Sequence, residues 1–148
     1  MFKHVLLASD GSEPAAKAVE RGLALAKLLE ADATAVTVSE PQTIVLATLA
    51  KRGGYDDPVT DYEACRKAAA ERILGEVREL AKRQGQGCRC VHVVDQHPAY
   101  GIIATANEEA CDLIVMGSYG RRGLSKLLLG SQVAKVLAVS SVPVLVCK

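Results

Sequence analysis

The chain has 148 residues, of which 49% are apolar and 24% are charged, and its formal net charge is +1. This length suits one domain with a single core, and the near-zero charge argues against a broad nucleic-acid or membrane-binding surface. No apolar run approaches the roughly 20 residues that span a bilayer, and the apolar start is too short for a signal peptide. We therefore expect a cytoplasmic protein. Its five cysteines, an odd number, argue against a disulfide framework.

The first third of the chain alternates between strand and helix patterns. An apolar run at 3–9 predicts a first strand, and Ser12 followed by Glu13-Pro14 predicts a helix start with a capping hydroxyl. Residues 33–39 are rich in β-branched side chains and predict a second strand. Between them, apolar side chains three or four residues apart form one helical stripe: Ala15, Val19, Leu23, Ala26 and Leu29.

A long connection, 40–58, follows the second strand. It contains prolines, glycines and the apolar piece "TIVLATLA", a composition that fits a lid, an oligomer contact or a packed loop. A long helix is predicted from about 60 to 83, and "GQG" ends it. Its predicted apolar stripe is Cys65, Ala69, Ile73, Val77 and Leu80.

Three further strands are predicted at 88–94, 112–117 and 142–147. A helix behind Pro98 separates the first two, and Val133, Val136, Leu137 and Ala138 indicate another before the last strand. The order βαβαβαβαβ implies an α/β fold with a mainly parallel sheet and helices on both faces. In such folds ligands bind beyond the carboxyl ends of the strands, where the strand order reverses.

A glycine-rich loop separates the fourth strand from the last helix. Gly117 ends the strand, Gly120 and Gly130 follow, and Ser131 opens the helix. Glycines let an anion approach main-chain N–H groups closely, and a helix N-terminus adds unsatisfied donors. Ser131 has two open roles, a helix cap or a phosphate ligand, and Arg121 and Arg122 add charge. On spacing alone, a plain turn explains the glycines equally well.

Together these residues resemble the universal stress protein family over nearly the whole chain. The specific part is the motif G-x2-G-x9-G-[ST], matched by Gly117, Gly120, Gly130 and Ser131. The opening "HVLLASDGS" and the closing "PVLVCK" also look like the family. The resemblance implies a single-domain, doubly wound, Rossmann-like fold over 1–148, with a five-stranded sheet of order 3-2-1-4-5. Members with this motif typically bind ATP, so the resemblance implies ATP, or AMP or ADP, with or without Mg²⁺.

The resemblance also implies which residues would meet the nucleotide. Asp10, with the main chain of Ala8 and Ser9, would lie at the ribose and adenine, and the main chain of Val38 would meet the adenine edge. The remaining implied binding residues are Met116, Gly117, Ser118, Gly120, Arg121, Arg122, Gly130, Ser131, Gln132 and Val133. The family's members usually form homodimers through the last strand. The implied role is a nucleotide-responsive regulatory or protective module in the stress response, with protein partners unknown.

Two departures from the family pattern stand out. Ala8 replaces a frequent Pro or Val, and Tyr119 replaces a frequent His. A phenol is a poorer base than imidazole near neutral pH, and the loop from 117 to 133 contains no carboxylate. Because phosphoryl transfer needs a positioned water and metal ligands, we expect binding and not catalysis as the main role, with slow hydrolysis at most.

Other residues suggest alternative functions. Cys88, Cys90 and His92 alternate along one strand face and would suit zinc with a fourth ligand, but such residues are also ordinary strand filler. Ser9, Asp10 and His97 lack the spacing of a hydrolase triad. A receiver domain would need several clustered carboxylates to hold a metal ion. An adenylate-transferring enzyme would need an extra glycine and a histidine in the loop after strand one. A dimeric interaction module, with a structural nucleotide or none, remains the alternative function.

The last strand carries its own prediction. Pro143 has no N–H group, which is typical of an edge strand, and the apolar residues beside it would make an exposed edge prone to association. Pairing with the same strand of a second chain would cover that edge in a two-fold dimer.

Overall fold

A computed structural model describes residues 1–41, 58–119 and 129–148, with side chains described from residue 62 onward in the second of these ranges. Most of the predicted connection at 40–58, residues 42 to 57, therefore lies outside the described residues. The elements follow in the order β1 (His4–Ala8), α1 (Glu13–Leu28), β2 (Asp32–Ser39), α2 (Pro58–Gln84), β3 (Arg89–Val94), α3 (Pro98–Glu108), β4 (Leu113–Gly117), α4 (Ser131–Val139) and β5 (Val144–Cys147).

The strands form one five-stranded sheet in the order β3-β2-β1-β4-β5, and every pair in it is parallel. This confirms the predicted α/β class and the strand order. β1 is central, since Leu6 pairs with Thr34 of β2 on one side and with Ile114 of β4 on the other. The strand order reverses at β1, so the crevice between the carboxyl ends of β1 and β4 is the place where this fold class binds ligands.

Alternate residues of the central strands face two separate halves of the core. In β1, Val5 and Leu7 pack with α1 and α2, whereas Leu6 and Ala8 pack with α3 and α4. β4 repeats this pattern, with Val115 on the first side and Ile114 on the second. Both faces of these strands are buried, which explains why they read as continuous apolar runs.

α1 begins and packs as the sequence predicted. The Ser12 side chain caps the helix by accepting a hydrogen bond from the Ala15 N–H, and a proline stands in the first turn. Four residues of the predicted stripe are buried: Ala15, Val19, Leu23 and Ala26. The start and the inner face of this helix were therefore predicted correctly.

The predicted stripe of α2 is wrong at its N-terminal end. Cys65 is exposed, and the buried face consists of Ala70, Ile73, Leu74, Val77 and Ala81. The apolar pattern of α2 is ambiguous because alanines occupy 68 to 70 in succession. In α4 only Val133 and Val136 are buried, while Leu137 is 45% exposed.

The ends of the sheet differ from prediction by a residue or two. β5 begins at Val144 and not at 142, because Pro143 contributes only its carbonyl oxygen, which accepts from the Ile114 N–H at 2.9 Å. As expected from Pro143, β5 is an edge strand of the described sheet. No helix that the structure describes combines the length and apolar character needed to cross a membrane.

Candidate functional site

A cavity of about 420 Å³ lies at the carboxyl ends of the central strands. Its volume falls in the range of about 300–1,000 Å³ that is typical of small-molecule sites. The structure brings most of the predicted nucleotide-binding residues to its wall: Ala8, Ser9, Asp10, Val38, Met116, Gly117, Gly130, Ser131, Gln132 and Val133. Three predicted residues, Gly120, Arg121 and Arg122, lie outside the described residues.

Asp10 stands in the turn between β1 and α1. Its Oδ1 atom accepts a hydrogen bond from the Ser12 N–H at 2.9 Å, and the Ser9 hydroxyl accepts from the Gly11 N–H at 3.3 Å. These bonds fix the turn, so the half-buried carboxylate holds one orientation at the cavity wall. A carboxylate oriented in this way can accept hydrogen bonds from ligand hydroxyl groups.

Gly117 ends β4 where the first turn of α1 crosses it. A Cβ atom added there would lie 2.9 Å from the Pro14 carbonyl oxygen and 3.2 Å from the Ala15 nitrogen. Both neighbours are backbone atoms that cannot rotate away. The glycine is therefore required for the approach of α1 to β4, which is a packing reason that sequence analysis did not supply.

The N-terminus of α4 faces the same cavity. Gly130 is its N-cap residue, and a glycine has no side chain with which to cap the helix. Ser131 is the first residue of the helix, so of its two predicted roles that of a side-chain cap is wrong. Gly130 has φ −60° and ψ 149°, an extended conformation open to other residues, so its torsion angles do not explain the glycine. The first amides of the helix have no acceptor within the helix and point toward the cavity end.

Ser118 is buried, and its backbone makes two hydrogen bonds to other parts of the fold. Its N–H donates to the Cys147 carbonyl oxygen, and its own carbonyl oxygen accepts from the Gly130 N–H, both at 2.8 Å. It does not line the described cavity. These backbone bonds hold β5 and the start of α4 in position beside β4.

Gln132 joins two helix N-termini. The N-cap of α3, His97, makes no side-chain capping bond, and the Gln132 Oε1 atom instead accepts from the Ala99 N–H at 3.1 Å. Its side-chain oxygen is thus engaged by the protein. The Val133 side chain is buried in the core. What these two residues direct at the cavity is therefore mainly their backbone.

Part of the other end of the cavity is apolar. Val38, Met116 and Ile102 line it. Gly101 of α3 lies so close to β2 that an added Cβ would be 2.8 Å from one Val38 methyl group and 2.9 Å from the other. Val38 is thereby pressed between α3 and the cavity, and its main chain lies at the end of β2, as predicted.

Sequence analysis missed the wall that α2 contributes. Tyr62, Arg66, Ala69, Ala70 and Ile73 line the cavity, together with Ser39 and Glu40 from the end of β2. Their spacing of three or four residues is a helical signal that was available in the sequence. The stripe was predicted around Cys65 instead, and nothing in the sequence pairs α2 with the end of β2.

Arg66 organises this wall. Its Nη1 atom donates to the Glu40 carbonyl oxygen at 3.0 Å and to Asp95 Oδ1 at 2.7 Å, and its guanidinium carbon lies 5.0 Å from the centre of the Tyr62 ring. The side chain is only 12% exposed, and its Nε atom is buried without a hydrogen-bond partner. A nearly buried cation thus ties α2 to the ends of β2 and β3.

A histidine shares this polar region. His92 Nε2 lies 2.8 Å from the Ser39 hydroxyl oxygen. Burial lowers the pKa of His92, and the positive charge of Arg66 lowers it further. His92 is therefore held largely neutral at physiological pH, where it acts as a hydrogen-bond partner for Ser39.

The three alternating residues Cys88, Cys90 and His92 do not assemble into a metal-binding cluster. Over residues 1–41, 58–119 and 129–148, no group of three or more Cys, His, Asp or Glu side chains lies close enough to hold an ion. Cys88 and Cys90 pack against the α1–α2 side of the core instead.

The amino-acid sequence is similar to those of known proteins. The model of the universal stress protein family matches residues 1–148. The chain belongs to the universal stress protein family. It is 31% identical over 151 residues to universal stress protein YxiE of Bacillus subtilis, with all of both chains covered, and 32% identical over 149 residues to a universal stress protein of Thermus aquaticus, also with all of both covered.

Solved structures agree with this family membership. The structure of protein MJ0577 has a TM-score of 0.80 at 25% identity, covering 100% of this chain and 96% of that one. A universal stress protein solved in complex with cAMP has a TM-score of 0.69 at 27% identity, covering 99% of this chain and 97% of that one. The all-parallel sheet of order β3-β2-β1-β4-β5 is thus the fold of a universal stress protein.

Proposed function

We propose that this universal stress protein binds an adenine nucleotide in the cavity between β1, β2 and β4. One observation carries the proposal: a single cavity joins an oriented carboxylate, an apolar wall and a helix N-terminus whose N-cap residue is a glycine. These features match, in order, the ribose hydroxyls, the base and the phosphates of one nucleotide. ATP is the proposed ligand, with AMP and ADP as smaller forms that fill part of the same site.

The phosphate end rests on main-chain groups. The N–H groups of Ser131, Gln132 and Val133 open α4, and the positive end of the helix dipole lies there. Gly120, Arg121 and Arg122 are near in sequence and would add an amide and two cations. Such a site binds phosphate without needing a lysine or a metal ion, although Mg²⁺ can accompany the nucleotide.

The base end rests on packed side chains. Val38 and Met116 offer an apolar surface, and the main chain at the end of β2 offers hydrogen-bonding groups to the base edge. Asp10 lies between the two ends and is proposed to accept from the ribose hydroxyls. The relative solved with cAMP supports an adenine nucleotide as the ligand class.

We propose a binding role and not turnover. No Asp or Glu occurs between 117 and 133, the stretch that would surround the γ-phosphate. A hydrolase would need groups there to position water and metal. In this proposal the bound and free states differ in what they present to protein partners, and the cytoplasm is the compartment in which the protein senses adenine nucleotides.

A homodimer through β5 is part of the proposal. β5 is an edge strand, and apolar side chains surround it with large exposed fractions: Leu129 at 48%, Leu137 at 45%, Val139 at 54% and Leu145 at 40%. An unpaired strand edge beside apolar side chains is a surface that proteins usually cover. A two-fold axis beside β5 would pair the strand with its own copy.

This exposed surface also favours the second candidate function, a dimeric interaction module whose nucleotide is structural or absent. The two functions differ in nucleotide exchange. A sensor releases its ligand on dialysis and rebinds it, whereas a structural nucleotide copurifies and resists dialysis.

The first experiment is calorimetric titration of nucleotide-free protein with ATP, with and without Mg²⁺. Ser131→Pro is the informative variant, because proline suits the first helical position and only removes one N–H group. A lost hydrogen bond to a charged group costs about 1.5–3 kcal/mol, so we expect at least roughly tenfold weaker binding. Ser131→Ala keeps the N–H group and is the matched control, for which we expect a smaller loss.

Micromolar binding that weakens in Ser131→Pro more than in Ser131→Ala would support the proposed site. No binding to the wild-type protein would exclude the nucleotide proposal. Equal losses in both variants would assign the contact to the hydroxyl and not to the amide.

The dimer is tested by light scattering after size exclusion. We expect a dimer at micromolar concentration and a monomer for Leu145→Asp, because the charge would be buried in the proposed interface. Leu28→Asp is the control, since Leu28 is 80% exposed at the end of α1. A wild-type monomer would contradict the dimer proposal.

A further inference from the structure

Two cysteines lie together outside the cavity, at the start of β3. Cys88 precedes the strand by one residue and Cys90 lies within it, so the two are two positions apart, and both side chains face α2. Both are half-buried, whereas Cys65 is exposed and Cys111 and Cys147 are buried. The Cys90 Sγ atom lies 3.9 Å from the Leu74 carbonyl oxygen, directly beneath α2.

A charged pair on α2 borders these thiols. Arg78 Nη1 lies 3.6 Å from Glu71 Oε2, and Arg78 is also within hydrogen-bonding reach of Cys90. Leu74 lies between them in sequence, so the three residues share the face of α2 above β3. Cys90 thus has a cation on one side and a second thiol on the other.

This geometry favours ionisation of Cys90 over Cys88. A hydrogen bond from the Cys88 thiol lowers the pKa of Cys90 to about 7, and the Arg78 charge lowers it too, although partial burial acts in the opposite direction. The same hydrogen bond, together with burial, raises the pKa of Cys88. In the neutral pair the Cys88 thiol donates to the Arg89 carbonyl oxygen at 3.4 Å. A thiolate at Cys90 is the stronger acceptor and draws that hydrogen toward itself.

We propose that Cys88 and Cys90 form a peroxide-reactive pair, in which hydrogen peroxide oxidises Cys90 and Cys88 then closes a disulfide with it. In the first step the Cys90 thiolate attacks one peroxide oxygen. An S–O bond forms, the O–O bond breaks, and the other oxygen leaves as hydroxide and takes up a proton. Sulfur loses two electrons to the peroxide, and Cys90 becomes a sulfenic acid.

In the second step the Cys88 sulfur attacks the Cys90 sulfur. The S–S bond forms, the S–O bond breaks, and the departing hydroxide takes the Cys88 proton as water. Two thiols and one peroxide thus yield one disulfide and two waters. This chemistry is independent of nucleotide binding.

The backbone allows the disulfide with a small movement. Two residues of extended chain span about 6.6 Å at about 3.3 Å each, near the upper end of the roughly 4.4–6.8 Å that disulfides bridge between Cα atoms. β3 begins only at Arg89, so Cys88 can move toward Cys90 without breaking a strand pair.

Trypsin makes the test sharp, because it cleaves after Arg89, between the two cysteines. The digest separates them onto the peptides 84–89 and 90–121. After graded hydrogen peroxide and blocking of free thiols, we expect these peptides to appear linked, with fragmentation assigning the bond to Cys88 and Cys90. In Cys88→Ala we expect no link and a dimedone adduct on Cys90.

The charges near Cys90 give a second readout. At pH 7 a pKa of about 7 leaves roughly half of a thiol ionised, against about 3% for an ordinary thiol. The weaker nucleophilicity of a less basic thiolate cancels part of this gain, which leaves roughly a threefold advantage. We therefore expect Arg78→Met, which removes only part of this advantage, to slow Cys90 oxidation by up to about twofold. Arg78→Lys should restore most of the rate, and Glu71→Gln should raise it.

Two residues of the same chain serve as internal references. Cys65 shows the extent of oxidation that exposure alone produces. Cys111, whose pKa burial raises to about 11, should remain reduced. The proposal is overturned if Cys90 stays reduced while Cys65 is oxidised, or if Cys90 passes to sulfinic acid in the wild type without linked peptides. A link found only between two chains would also overturn it.

Discussion

The two ends of the cavity are built in opposite ways. The end that we propose for the phosphates consists of main-chain amides at the start of α4. The far end consists of side chains: Arg66 reaches from α2 to Glu40 and Asp95, and Tyr62 lies beside it. One end depends on local chain geometry and the other on contacts between distant segments. Substitutions should therefore act differently at the two ends.

The largest expected effect is on stability, at Gly117 in the cavity wall. Gly117→Ala places a methyl group against backbone atoms of α1, which cannot rotate away. Overpacking of this kind costs about 1–3 kcal/mol, and we expect a loss of about 2 kcal/mol in urea unfolding. Gly75→Ala is the matched control, because its Cβ meets nothing within 4 Å and lies inside α2. It should stabilise the protein by about 0.5–1 kcal/mol. Equal behaviour of the two variants would contradict the packing role of Gly117.

The second prediction separates the two ends by ligand. Ser131→Pro should weaken AMP binding by about tenfold and leave adenosine binding nearly unchanged, because only AMP carries the phosphate that the lost N–H would meet. Calorimetry with both ligands gives the ratio directly. An equal loss for adenosine would mean that α4 contacts the nucleoside and that the proposed orientation is reversed.

The third prediction is the counterpart at the far end. Arg66→Met removes the bonds to Glu40 and Asp95 but keeps most of the volume, so we expect roughly fivefold weaker binding of AMP and adenosine alike. Arg72→Met on the same helix is the control, since Arg72 pairs with Glu76 and is 58% exposed. A variant that lost AMP binding but kept adenosine binding would place Arg66 at the phosphates instead.

The smallest effect is expected between the two ends. Asp10→Asn keeps an oxygen that can accept from the Ser12 N–H, so the turn should survive and stability should change by less than about 0.5 kcal/mol. The charge is lost, and hydrogen bonds from ribose hydroxyls should weaken by about threefold in affinity. Titration with adenosine measures this, and an unchanged affinity would remove Asp10 from the ribose site.

This contrast explains what was predictable from sequence. The strands and the start of α4 follow from local patterns, because each is encoded within a short segment, whereas the strand order came from the family resemblance. Asp10 and residues 131 to 133, which the sequence and its family resemblance predicted as site residues, line the cavity. Arg66 was not predicted, because its partners Glu40 and Asp95 are 26 and 29 residues away along the chain. Gln132 was assigned to the nucleotide, but its side chain caps α3, a contact that only the packing of two helices creates.

The use of backbone amides at the start of α4 has a consequence for how the protein tolerates mutation. An amide hydrogen belongs to every residue except proline, so most substitutions at 131 and 132 leave the anion-binding groups in place. The Arg66 wall offers no such tolerance, because only a guanidinium makes its set of contacts. In the proposed site, sequence drift can thus alter the wall beside the base while the amides proposed to bind phosphate persist. Relatives with little sequence in common could then bind different nucleotides through one shared anion cradle.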